Sequence, residues 1–182
     1  MLRALLIILI FCSSPVFASG IVISVKGQAS GEIIIDLFED TAPQHVKQII
    51  TLVDDGSYNG IAFHRVIDGF MAQTGDVQYG NISGDLKRAG MGGSDLPDLK
   101  AEFSDINYDR GIVGMARAQD PNSANSQFFI MFSEGSFLNG QYTVIGKVVK
   151  GLDVLDMIKK GDGQSGSISG DPDFMENVSS FK

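Results

Sequence analysis

The segment 63–76, F-H-R-V-I-D-G-F-M-A-Q-T-G-D, constrains the fold more than any other part of the chain. Its polar and apolar residues alternate, and in a β-strand alternate side chains share one face. Arg65 and Gln73 therefore each lie beside apolar neighbours, and the Asp-Gly pair at 68–69 favours a tight turn between two strands. The segment predicts a hairpin with an apolar surface and a few fixed hydrogen-bond donors, without a nucleophile or an obvious general base.

Other stretches also have strand character. Residues 21–25 and 32–38 are apolar and β-branched and predict a hairpin, while 112–116, 127–132 and 142–149 predict further strands. Residues 175–181 predict a weak final strand. Within this set, M-A-R-A at 115–118 and N-S-Q-F-F-I at 125–130 again place polar side chains beside apolar or aromatic ones. The pattern favours a mostly β domain without internal repeats.

Two helices are predicted far apart in the sequence. The first has Asp40 or Thr41 as its cap, Pro43 in its first turn and an end near Gly56. Its core face shows helical spacing and comprises Val46, Ile49, Ile50 and Val53. The second helix covers about 153–160. Between the two helices lies a long irregular region at 75–110. Its glycines at 75–93 could cradle a phosphate but lack the Gly-Lys-Ser/Thr ending of such loops, so loop flexibility is the better interpretation.

The first residues predict a leader. Arg3 precedes a short apolar run, and V-F-A at 16–18 ends it, which is typical of a secretory signal peptide cleaved after Ala18. We therefore expect a signal peptide at 1–18 and one domain at 19–182, exported and in the periplasm. The alternative is an uncleaved membrane anchor. After cleavage we expect no stable membrane insertion.

Charge and residue usage exclude several classes of function. The chain has 14 basic and 22 acidic residues, and loss of Arg3 with the leader makes it more acidic, so nucleic acid is an unsuitable partner. The single cysteine, Cys12, is lost with the leader, so the domain forms no internal disulfide. His45 is expected on a helix surface and His64 as a packed, hydrogen-bonded barrel residue; their spacing gives no metal site.

Together, the segments 63–76, 115–118 and 125–130 resemble the cyclophilin family of peptidyl-prolyl cis-trans isomerases, over about residues 21–149. The resemblance implies a closed eight-stranded antiparallel β-barrel capped by two α-helices, with the active groove on its outer wall. The irregular region 75–110 corresponds to an excursion beside that groove. The implied substrates are proline-containing polypeptides, bound by a monomer without a cofactor or metal.

The resemblance also assigns residues to the site. Arg65 corresponds to the catalytic arginine, Gln73 to the glutamine that orients it, and Phe70 to the pocket beside them. The implied substrate-binding residues are Met71, Ala116, Arg117, Gln127, Phe129, Phe137, Leu138 and Tyr142. Many family members have tryptophan in place of Phe137 and histidine in place of Tyr142; both replacements retain an aromatic ring.

Each of these residues also has a structural interpretation. Arg65 alone would suit a surface salt bridge, the apolar residues would suit a core, and both glutamines would suit exposed strand positions. Two functions consequently stay open, an isomerase that acts in the folding of exported proteins and a peptide-binding module or holdase that needs no turnover. A membrane-tethered assembly factor is a third possibility if the leader is retained.

Overall fold

The computed structural model describes residues 19–182, which form one antiparallel sheet of nine strands with two α-helices. The predicted signal peptide lies outside the described residues. The strands are β1 (Gly20–Lys26), β2 (Gly31–Leu37), β3 (Ile61–Ala62), β4 (Arg65–Ile67), β5 (Met71–Thr74), β6 (Ile112–Met115), β7 (Phe128–Met131), β8 (Val144–Lys150) and β9 (Phe174–Phe181). The helices are α1 (Pro43–Asp54) and α2 (Leu152–Met157).

The predicted first hairpin is confirmed. β1 and β2 pair in antiparallel register from Gly20↔Asp36 to Val25↔Gly31. Ile23, Ile33 and Ile35 are fully buried, as expected for β-branched residues on the inner face of a sheet. The last predicted strand is longer and more central than expected, because β9 pairs with β1 on one side and with β3 on the other.

The sheet curls until its two edges meet. The strand order is β3-β9-β1-β2-β8-β6-β7-β5-β4, so β3 and β4 lie at opposite edges although only Phe63 and His64 separate them in sequence. The predicted mostly β fold, a curved antiparallel sheet with two α-helices, is confirmed. It differs from the prediction in having nine strands where eight were expected and in how the edges of the sheet are joined. The stretch 61–67 is divided into two strands, since the amide of Phe63 donates to the carbonyl of Asp173 and that of Val66 to Gly166. The chain itself joins the edges, where a closed barrel would have a hydrogen-bonded ladder.

The start of α1 differs from the prediction. Its N-cap is Ala42, without a side-chain cap, and neither Asp40 nor Thr41 has that role. The carboxylate of Glu102 serves instead, accepting from the backbone amides of Gln44 (3.1 Å) and His45 (3.2 Å) and bonding the His45 Nδ1 at 2.7 Å.

The buried face of α1 and the length of α2 also differ from expectation. His45, expected on a helix surface, is fully buried. Leu52 is buried on the core face of α1, whereas Ile50 is only partly buried. The second helix ends at Met157, because Ile158 is extended and buried and the amide of Lys159 donates to a carboxylate oxygen of Asp173.

None of the helices in the described part of the chain has the length and apolar character needed to cross a membrane.

The ring of His64 lies at the junction of the two sheet edges. The ring is packed as predicted, but the predicted hydrogen bond is not found: among the described residues, neither of its buried ring nitrogens has a hydrogen-bond partner. Burial lowers the pKa of His64 from 6.5, the nearby Arg65 lowers it further, and the charge of Asp76 opposes the shift. The folded protein therefore holds this ring in its neutral form more strongly than the unfolded chain does.

We expect removal of the Glu102 carboxylate to destabilise the fold. Glu102→Ala leaves two helix amides and the buried His45 ring without their acceptor, so the free energy of unfolding should fall by about 1–3 kcal/mol in urea denaturation. Glu176→Ala is the matched control, because the Glu176 side chain is half exposed, and its effect should stay within about 0.5 kcal/mol. Equal effects of the two substitutions would show that Glu102 does not anchor the helix.

The lowered pKa of His64 predicts a loss of stability in acid. The unfolded chain binds a proton at His64 more readily than the folded protein, so stability falls as the pH drops through 6.5 and below. The urea midpoint should decrease between about pH 7.5 and about pH 5, and His64→Gln should reduce that decrease. An equal decrease in both proteins would contradict the role of this ring.

Candidate active site

Strand register sets out the functional side chains in a row across the outer face of the sheet. Arg65 on β4 pairs with Gln73 on β5, Gln73 pairs with Phe129 on β7, and Phe129 pairs with Gly114 on β6. Directly opposed residues on neighbouring strands point to the same side. The predicted alternation of 63–76 and 125–130 therefore combines, in three dimensions, into one surface.

The neighbouring row faces the opposite way. Val66, Ala72, Ile130 and Val113 occupy the next register positions, are at most 1% exposed and belong to the central core. The same four strands thus fill the core with one set of side chains and present the site with the other.

A cavity of about 290 Å³, called the apolar cavity because most of its lining residues are apolar or aromatic, lies on this outer face. It contains all but one of the residues assigned to the site from the sequence: Arg65, Phe70, Met71, Gln73, Ala116, Arg117, Phe129, Phe137, Leu138 and Tyr142. Met71, Phe129 and Leu138 are buried and belong to a second hydrophobic cluster, separate from the central core. The remaining residue, Gln127, lines the adjoining cavity and bonds Gln73.

Two aromatic residues form the rim of this apolar cavity. Phe137, which is 69% exposed, stacks at a tilt on Phe70 with 5.4 Å between ring centroids. Tyr142 meets Phe129 edge to face at 5.9 Å. Phe137, an implied substrate-binding residue, therefore forms an exposed edge of the cavity.

The two arginines of the cavity are held differently. The guanidinium of Arg117 lies over the Tyr142 ring at 4.4 Å, and its nitrogens donate to the carbonyls of Ala118, Gln119 and Gln141. Its donors are thus occupied by the backbone. Arg117 stabilises the aromatic rim, and its neighbour Ala116 lines the cavity.

Arg65 retains a free donor. Its Nε donates to the carbonyl of Ser165 at 3.0 Å and its Nη1 to the Oε1 of Gln73 at 3.3 Å. Within residues 19–182, its Nη2 has no hydrogen-bond partner. The guanidinium is thereby fixed on one side and available on the other. Ser165 was not identified from the sequence, because a backbone carbonyl in a polar loop gives no residue-specific signal.

The two glutamines extend this hydrogen-bonded chain. The Nε2 of Gln73 donates to the Oε1 of Gln127 at 2.9 Å, and the Nε2 of Gln127 donates to the carbonyls of Gly90 (3.1 Å) and Gly92 (2.8 Å). Sequence reasoning attributed the glycines of 75–93 to loop flexibility. In the structure two of them are specific acceptors for the site.

A second cavity of about 420 Å³ adjoins the first and shares Gln73, Ala116 and Arg117 with it. Its other lining is mostly polar or glycine, including Ser94, Asp98 and residues 90–93. An extended peptide chain that places an apolar residue in the smaller cavity can therefore continue along a more polar one.

The described residues include no cluster of three or more histidine, cysteine, aspartate or glutamate side chains that could hold a metal ion. The chemistry that the arrangement itself supports is hydrogen-bond donation, from a fixed guanidinium, into an apolar cavity.

Comparisons with known proteins agree with this geometry. The sequence model described as "Cyclophilin type peptidyl-prolyl cis-trans isomerase/CLD" matches residues 21–179. A probable peptidyl-prolyl cis-trans isomerase of Brucella suis is 61% identical over 141 residues, covering 76% of this chain and 72% of the relative. Peptidyl-prolyl cis-trans isomerase B of Escherichia coli is 38% identical over 137 residues, covering 71% and 79%.

Solved structures show the same fold. A cyclophilin-type isomerase of Cryptosporidium parvum, crystallised in the presence of the dipeptide Ala-Pro, has a TM-score of 0.74 at 28% identity, covering 90% of this chain and 99% of that one. Cyclophilin AquaCyp293 of Hirschia baltica has a TM-score of 0.72 at 27% identity, covering 87% and 72%. Sequence and fold agree, and the chain belongs to the cyclophilin family of peptidyl-prolyl cis-trans isomerases.

Proposed function

We propose that this isomerase acts on Xaa-Pro bonds of exported proteins during their folding, with Arg65 as the residue that stabilises the twisted peptide bond. The observation that carries the proposal is the position of the Arg65 guanidinium. It is held by Ser165 and Gln73, keeps one nitrogen free, and lines the apolar cavity.

The reaction needs no acid, base or cofactor. Delocalisation of the nitrogen lone pair keeps the Xaa-Pro bond planar, with a barrier of about 18–20 kcal/mol. Rotation localises that lone pair on the prolyl nitrogen, which then accepts a hydrogen bond better than in either planar isomer. A donor fixed beside the nitrogen stabilises the twisted state preferentially, and only such preferential stabilisation accelerates the step.

The apolar cavity strengthens that donation. The buried side chains of Met71, Phe129 and Leu138 provide a surface for a proline ring, which displaces water from that surface when it binds. In a water-poor site the interaction of a guanidinium with the prolyl nitrogen is less screened. The Cryptosporidium relative was crystallised in the presence of Ala-Pro, which supports a proline-containing peptide as the occupant of this cavity.

The proposed cellular location is inferred from the predicted signal peptide at 1–18. Arg3, the apolar run after it and V-F-A at 16–18 are typical of a secretory signal. Ser19, the first residue after the predicted cleavage position, already belongs to the described fold, since its carbonyl accepts from the amide of Leu37 at 2.8 Å. We propose that the mature domain acts in the periplasm.

Removal of the Arg65 guanidinium should reduce activity strongly. Arg65→Ala is expected to lower kcat/KM for an Xaa-Pro peptide about 30-fold to 1000-fold, the range for loss of one preorganised donor worth about 2–4 kcal/mol. Exchange NMR of a proline-containing peptide measures the rate. Arg65→Lys should restore only part of it, because an ammonium group cannot reproduce the planar fork of guanidinium donors.

Arg110→Ala is the matched control for this substitution. Arg110 binds Asp156 and the carbonyl of Phe132 outside the groove, so its loss should affect stability without changing kcat/KM. Normal activity of Arg65→Ala would overturn the mechanism. An inactive wild-type protein that still binds the peptide would favour the holdase alternative.

Export predicts a defined mature terminus. Sequencing of the protein isolated from the envelope of its native cell should give Ser19 as the first residue, and Ala18→Leu should block processing by placing a bulky side chain at the cleavage position. Recovery of Met1 on a membrane-bound species would show that the leader acts as an anchor.

A further inference from the structure

The carboxylate of Asp76 is fully buried next to the groove, yet it belongs to none of the groups assigned to the reaction. Its Oδ1 accepts from the backbone amides of Gln78 (3.1 Å) and Tyr79 (2.9 Å). Its Oδ2 accepts from the amides of Gly90 (2.7 Å) and Gly92 (2.9 Å). This one side chain thus ties together the two ends of the irregular segment 77–92.

The two glycines whose backbone amides bind Asp76 also accept hydrogen bonds, through their carbonyls, from the side-chain amide of Gln127. The carbonyls of Gly90 and Gly92 accept from the Gln127 Nε2 at 3.1 and 2.8 Å. A carbonyl can only accept, so both hydrogens of that amide nitrogen are directed toward the segment. The Gln127 Oε1 is then left to face Gln73, and it accepts from the Gln73 Nε2 at 2.9 Å.

The direction of every bond in this chain is fixed from both ends. A guanidinium can only donate, so the Oε1 of Gln73 must face Arg65, which it meets at 3.3 Å. The Nε2 of Gln73 must then face Gln127, in agreement with the orientation that the glycine carbonyls require. The orientation of Arg65 is thereby linked through two side-chain amides to the backbone that Asp76 holds.

The segment is packed without room for adjustment at these glycines. Gly90 has a φ of +94°, a region that side chains with a Cβ rarely adopt. A Cβ at Gly92 would lie 2.5 Å from the Oδ1 of Asp76 and 2.7 Å from the Cβ of Gln78. The positions of both carbonyls therefore depend closely on the carboxylate.

We propose that Asp76 is a positioning residue of the isomerase centre: through Gly90, Gly92 and Gln127 it orients Gln73 and, with it, the guanidinium of Arg65. The inference rests on the proposed role of Arg65. Asp76 does not touch the substrate, so it affects the rate at which the bound peptide isomerises more than the affinity for the peptide.

Asp76→Asn is the first test, because it keeps the size of the side chain and replaces one acceptor oxygen by an amide nitrogen that cannot accept from the loop amides. We expect kcat to fall about 10-fold to 100-fold, the scale of a small displacement of a catalytic group. For a short Xaa-Pro peptide that occupies only the smaller cavity, KM should change less than about twofold, since none of the residues that line that cavity contacts Asp76 directly. An unchanged kcat would overturn the proposal.

Asp173→Asn is the matched control. Asp173 is also a buried aspartate, 1% exposed, and accepts from the amides of Ala29 (3.0 Å) and Lys159 (2.6 Å) away from the groove. Its replacement should lower thermal stability with kcat unchanged. If both variants lose stability and kcat together, destabilisation accounts for the effect and the positioning role is refuted.

A double-mutant cycle tests the route of the effect. Gln127→Ala removes the connection between the segment 77–92 and Gln73, so Asp76→Asn should have no further effect on kcat when combined with it. An equal reduction in both backgrounds would show that Asp76 does not act through Gln127.

Side-chain NMR separates this inference from the proposed function. The Nε2 amide signals of Gln127 and Gln73 and the Nε-H signal of Arg65 should shift or broaden in Asp76→Asn and stay in place in Asp173→Asn. These signals do not require turnover. An inactive wild-type enzyme would refute the proposed function. If the wild-type enzyme is active and the signals of Asp76→Asn match those of the wild type, the positioning role alone is refuted.

Discussion

Alternation of side chains along four short strands is the constraint on which both the fold and the groove depend. β4, β5, β6 and β7 direct Val66, Ala72, Ile130 and Val113 into the core, and direct Arg65, Gln73 and Phe129 outward. A shift of one residue in register would exchange the two rows. The central core that stabilises the sheet thus also fixes the order of the groups in the groove, so mutations in the core can alter the site.

The sequence was most informative where the contacts are local or periodic. Alternation and the Asp-Gly pair at 68–69 located the hairpin that carries Arg65 and Gln73, and β4 and β5 form there with Ile67↔Met71 as the last pair before the turn. The resemblance to a family then supplied the other site residues, and ten of them line one cavity with Gln127 bonded to the set. Their roles in the reaction stay predictions.

The features that the sequence did not predict depend on partners distant in the chain. Glu102 accepts from the first turn of α1, more than fifty residues away, so no local capping pattern could indicate it. The carbonyls of Ser165, Gly90 and Gly92 hold Arg65 and Gln127, yet a carbonyl is common to every residue type. The strand count and the way the sheet edges are joined differ slightly from the predicted barrel for the same reason, because the division of 61–67 into β3 and β4 depends on hydrogen bonds to Asp173 and Gly166.

The position of β9 has a consequence for the order of folding. This strand lies between β1 and β3 and pairs Phe181 with Gly20, so the sheet joins segments that are far apart in sequence. Contacts of such separation form slowly, since a long loop must close before they can stabilise the sheet. The sheet is incomplete until residue 181 has been synthesised. For a chain exported as proposed, the sheet can be completed only after the C-terminal strand has also crossed the membrane.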